Sequence, residues 1–209
     1  MDARLIPNLL DVSLCLVALF ISVRSFDIYS RNRQFRLFIL GLSMALVSLS
    51  AAADFTSSYI RAIPLHTDWF LYIGQTVGFL FILLSLVQSS EKYLRGLRSL
   101  NIVVFVLLLI LLLLSPVIPD IDTPTRTLFG FSRFVICMLV FLVYFSAYTH
   151  KPLRFSLFMS TAFFFFTVGY LVTLDQFSAP SLSQYIFRDL GDITSVIGLV
   201  VLVAAVSWD

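Results

Sequence analysis

The sequence predicts an all-α membrane protein with seven spanning helices. Three observations predict it. Apolar residues make up 59% of the 209 positions and charged residues only 12%, where a soluble domain carries charge at about a quarter of its positions. Mean hydropathy is +0.98. The apolar residues also fall into runs of about twenty, the length a helix needs to cross a hydrocarbon core of ~30 Å. The net charge of +2 is scattered over short loops rather than gathered in a patch, so the expected surroundings are a lipid bilayer and not nucleic acid.

Span one runs from about Leu5 to Val23. Its leading MDAR is nearly neutral and no small-x-small site follows before Arg24, so it reads as a retained helix rather than a signal peptide. Span two covers about Leu37 to Ala53, span three Trp69 to Gln88, and span four the almost purely aliphatic Leu100 to Val117. Span five, Thr127 to Thr149 (TLFGFSRFVICMLVFLVYFSAYT), is the stretch the chain is organised around, because it carries Arg133 about two turns in. Spans six and seven follow at Phe155 to Leu174 and Leu190 to Trp208. The proline-rich PVIPDIDTP and the segment Asp175 to Arg188 read as loops.

Nine basic residues follow spans one, three and five (Arg24 to Arg36, Lys92 to Arg98, Lys151 and Arg154), against four on the other side. The positive-inside rule therefore predicts a multi-pass cell-membrane protein with its N-terminus outside and its C-terminus in the cytoplasm. The chain reads as one transmembrane domain, 1–209, with an internal parallel 3+1+3 repeat. Repeat one is about 5–89, a linker helix about 100–118, and repeat two about 127–208. DVSLCL at Asp11 lies opposite RFVICM at Arg133, both 122 residues apart with Cys15 and Cys137; Arg36 lies opposite Arg154, and Gly78 opposite Gly198.

A guanidinium inside a span costs ~2.5–3.5 kcal/mol on insertion scales, so Arg133 needs a partner or an exit. Asp11 and Asp192 are the carboxylates inside other apolar spans. One reading is a polar pocket open to the outside, formed by Asp11, Arg133 and Asp192 with Gln75 and Tyr72 nearby. The other, which weighs more from sequence alone, is an ion pair locking helices together or Arg133 snorkelling to the interface. Helix packing in lipid relies on small residues, which marks Gly74 and Gly78 in GQTVG, Gly41 and Ala45 on span two, and Gly198 on span seven. Phe163 to Phe166 surround span six and are expected to face lipid and neighbours together. Cys15 and Cys137 read as buried thiols acting as small hydrophobes.

The only lysines, Lys92 and Lys151, lie in loops, so no retinal Schiff base can form. Neither a Walker loop nor a nucleophile elbow is present, and the sequence implies no catalytic residue, metal site or cofactor. The 3+1+3 layout is similar to sugar facilitators of the SWEET type and to related vitamin transporters, although all seven prolines lie at span ends or in loops rather than within the first helices of each repeat. The stretch IYSRNRQFRLFILGLSMALVSLS resembles poorly characterised archaeal and bacterial seven-helix proteins, some of whose relatives serve as sensor modules ahead of histidine kinases. The expectation is a non-enzymatic receptor-like or accessory subunit acting through a membrane-protein partner or a homo-oligomer. The alternative is a small-solute or ion transporter with a polar site near Arg133.

Overall fold

The computed structural model describes residues 5–59, 67–87, 90–119, 121–175 and 181–207, with side chains described for all of these except 5–11, 54, 57–59, 175 and 181–189. Seven α-helices follow in order: α1 Leu5–Asn32, α2 Phe35–Tyr59, α3 Asp68–Val87, α4 Glu91–Leu113, α5 Thr123–His150, α6 Arg154–Asp175 and α7 Ser181–Ser207. All seven contain a stretch long and apolar enough to cross a membrane, and no strand occurs among the described residues.

Three helix ends depart from the apolar runs by nine residues each: α1 continues to Asn32, α4 starts at Glu91, and α7 starts at Ser181 within the segment read as a loop. An apolar run marks only the part of a helix that meets hydrocarbon. The backbone stays helical beyond it, and in α1 the extension is pinned by Asp27, which accepts from Arg24 at 3.1 Å and from Arg31 at 3.2 Å. Such half-exposed pairs add little energy. The stop of α4 at Leu113 is sharper, because Pro116 has no N–H to continue the ladder and restricts Ser115 before it. At the start of α5, Pro124 occupies the first turn, where a missing N–H costs nothing.

The turn between α1 and α2 is two residues long and holds Arg33 at φ 55°, its N–H bonded to the Tyr29 carbonyl at 2.8 Å. A side chain in this left-handed region is strained by about 1–2 kcal/mol. Arg33→Gly is therefore expected to raise the thermal midpoint of the purified protein by the equivalent of about 1 kcal/mol. An unchanged or lowered midpoint would show that the arginine head makes contacts worth as much as the strain.

Six helices close into a ring. Among the described residues α1 packs on α2 and α7, α2 on α3, α3 on α5, α5 on α6, and α6 on α7, while α4 packs only on α2 and α3, outside the ring. α4 accordingly presents Val103, Val106, Leu107 and Ile110 outward, as a helix facing lipid should. The ring interior is aromatic. Phe79 of α3 meets Phe163, Phe166 and Tyr170 of α6 with ring centroids 6.2, 5.6 and 5.8 Å apart. The span-six Phe cluster divides as its circumference requires, with Phe163 and Phe166 buried and Phe164 turned outward.

Small residues set the closest approaches. A Cβ on Gly78 would stand 3.3 Å from the Ser43 carbonyl, one on Gly41 3.3 Å from the Ser22 carbonyl, and one on Gly198 2.9 Å from the Ala162 carbonyl. The α6–α7 seam is tighter still at Gly169 and Gly191. Ala45 is half-buried on α2. Gly74 departs from its expected role: it is buried, yet a Cβ there would meet nothing within 4 Å. The GxxxG pair therefore splits, with Gly78 at a helix contact and Gly74 beside open room. Ser48 adds a polar tie, donating from α2 to the Cys15 carbonyl of α1 at 3.0 Å.

Candidate functional site

The site lies on the seam between α3 and α5. Seven residues separate Asp68 from Gln75, and seven separate Arg126 from Arg133. Two helices running in the same direction with a heptad spacing repeat their contacts at that interval, and both rungs are present. The first rung, at the helix starts, is an ion pair between Arg126 and Asp68. Two turns deeper, Arg133 Nη1 donates to Gln75 Oε1. A further heptad on, Ile82 and Val140 belong to the apolar core. The seam thus passes from salt bridge to cation–amide to hydrocarbon, in the order in which water is lost.

Arg133 stands ten residues into α5, about 15 Å along its axis. It is only 7% exposed, so the guanidinium does not snorkel; it is held inside the ring. Its Cζ lies 4.6 Å from the centre of the Tyr72 ring on α3 and 4.9 Å from that of Tyr170 on α6. Desolvated cation–π contacts of this kind contribute about 2 kcal/mol each, and the charge-assisted bond to Gln75 about 1.5–3 kcal/mol. Together these exceed the ~2.5–3.5 kcal/mol insertion cost of the charge, which is why it can stay. The Tyr170 hydroxyl also reaches Gln75 Oε1, at 3.4 Å. Arg133 Nε, by contrast, is buried without a hydrogen-bond partner among the described residues.

Of the residues singled out from sequence, the structure brings Arg133, Gln75 and Tyr72 together. Asp192 sits half-buried on α7 and acts electrostatically on the Tyr170 hydroxyl. The side chains of Asp11 and Asp189 lie outside the described residues. Among the described residues no carboxylate forms an ion pair with Arg133; its partners there are an amide oxygen and two aromatic faces. Ser195 is buried and donates back to the Gly191 carbonyl at 2.9 Å. Cys137, one turn below Arg133, is fully buried.

Tyr170 is the residue that sequence reasoning missed. Its signal was present: it follows Phe163 by seven and Phe166 by four, on the face of α6 that the ring buries. A phenol on an otherwise apolar stripe is a polar group aimed inward. The assembled site offers donors, one acceptor and two aromatic faces, a set suited to holding a ligand. Among the described residues no three His, Cys, Asp or Glu side chains gather as metal ligands. No protein family, curated protein or solved structure matches this chain.

Proposed function

We propose that this chain is a non-enzymatic, receptor-like multi-pass membrane protein that binds a small ligand at Arg133 and passes the event to partners in the plane of the bilayer. One observation carries the reading. A guanidinium buried ten residues into α5 keeps one N–H without an acceptor among the described residues, although a buried donor left unpaired costs about 1–3 kcal/mol. A ligand oxygen is the simplest group to fill it. The loop charges support an outward N-terminus and a cytoplasmic C-terminus, which would open the site toward the outside.

A transporter is the second reading, and packing supports it. Exchanging α1, α2 and α3 for α5, α6 and α7 leaves the ring order unchanged, with α4 as the odd helix outside. Gly78 and Gly198, matched in the proposed repeat, each press on a carbonyl of the preceding helix, Ser43 and Ala162. Two like halves around a central site are the layout of many carriers.

Counterflow separates the two. The purified chain in liposomes, loaded with unlabelled small anions or sugars, is expected to accumulate none of the labelled solute if it is a receptor. Accumulation that disappears in Arg133→Gln would put the transporter first.

A further inference from the structure

We infer that the Arg133 site takes a monocarboxylate with a compact apolar body, the carboxylate meeting the guanidinium at its Nε edge. The inference rests on the reading of Arg133 as a ligand site and names the class of ligand.

Charge decides the valence. The first rung of the α3–α5 seam is balanced, Arg126 against Asp68, whereas the second sets a cation against an uncharged amide. A monoanion beside Arg133 would make that rung neutral. A dianion would leave a net negative charge at the same depth, where a single unpaired charge already costs several kcal/mol. A neutral ligand would fill the open donor and leave the charge as it was.

Geometry decides the group. The rings of Tyr72 and Tyr170 lie against the guanidinium, and Nη1 is engaged with Gln75. The donor left open to a ligand approaching in the guanidinium plane is Nε, a buried N–H with no partner among the described residues. The planar guanidinium fork matches a planar carboxylate at such an edge. The Tyr170 hydroxyl, poised 3.4 Å from Gln75 Oε1, is a second donor able to turn toward the incoming oxygen. A phosphate would call for more cations than this one.

The surroundings decide the rest of the molecule. Phe79, fully buried, lies 5.8 Å from the Tyr170 ring. Gly74, one residue before Gln75, is buried, yet a Cβ there would meet no atom of a neighbouring helix within 4 Å. Aromatic walls with room in the turn that carries the acceptor suit a small apolar body.

The test uses the full chain in nanodiscs of neutral phosphatidylcholine and follows its thermal midpoint in sodium benzoate, benzamide, sodium phosphate and sodium chloride. Benzoate is expected to raise the midpoint saturably, and the other three to leave it within error. The rise should vanish in Arg133→Gln. In Gln75→Glu, which supplies an internal carboxylate and so keeps the test open if the first variant does not fold, benzoate should bind about tenfold or more weakly, the loss of one favourable charge contact. Benzamide matching benzoate, with both responses lost in Arg133→Gln, would overturn the carboxylate assignment while leaving Arg133 a ligand site. No response to any of the four, with Gln75→Glu behaving as the parent chain, would overturn the carboxylate and the ligand site together.

Discussion

Gly198→Leu is expected to lower the stability of the bundle by about 3 kcal/mol or more, at the upper end of what overpacking does in a close-packed interior. The reason is local. At Gly198 even a Cβ would stand 2.9 Å from the Ala162 carbonyl and 3.2 Å from the Phe165 Cβ, so backbone and not a flexible tip blocks the way. A leucine can be housed only by moving α7 away from α6. The same seam holds Gly169, whose Cβ would meet the Gly191 carbonyl at 2.9 Å, so a shift at one point opens the others. In lipid no hydrophobic force presses the helices back together; dispersion across close contacts is what joins them. Reversible unfolding in mixed micelles measures the loss. Gly74→Ala is the matched control: with open room around it, alanine should be neutral or gain up to about 1 kcal/mol through helix propensity. Equal losses at 74 and 198 would refute a tight α6–α7 seam beside a roomy turn at Gly74.

That contrast also marks where the sequence was legible. The number and type of the helices could be read directly, because hydropathy reports the solvent each segment faces, and the hydrocarbon core is a uniform solvent. The helix ends could not, because the interfacial zone accepts polar turns such as Arg24 to Asn32 and Ser181 to Asp189 without breaking the helix. GQTVG names two glycines but carries no information on which of them a neighbouring helix approaches; that depends on the rotation of α3 against α2. Within the site, Gln75 and Tyr72 were legible because they are polar residues three apart on one face of an apolar span. Tyr170 was not, since a tyrosine near the end of a span is ordinarily an interface anchor. The expectation of a carboxylate partner came from counting charges. The described residues answer instead with an amide and two ring faces, a solution that charge counting does not see.

Gln75→Glu is expected to stabilise the protein by about 2 kcal/mol, and Gln75→Leu to destabilise it by about 3–5 kcal/mol, the range for stripping one partner from a buried charge. Glutamate keeps the shape of glutamine and places an anionic oxygen where Arg133 Nη1 already donates. The guanidinium is desolvated in either case, so the added cost is that of the carboxylate alone, and the close charge-assisted pair more than offsets it. Leucine removes the one acceptor that Arg133 has among the described residues and also leaves the Tyr170 hydroxyl without its contact at 3.4 Å. Only the two ring faces would then hold the cation. Unfolding midpoints of the three chains in neutral nanodiscs give both values. A Gln75→Leu/Arg133→Leu double variant gives the coupling, which should recover most of the loss, because removing the charge removes the need for an acceptor. The sign for glutamate is the sharper result. If a carboxylate such as Asp11 already neutralised Arg133, a second anion at position 75 would repel it and Gln75→Glu would unfold more readily than the parent chain. A more stable Gln75→Glu means that the cation inside the ring stands unbalanced until something anionic arrives.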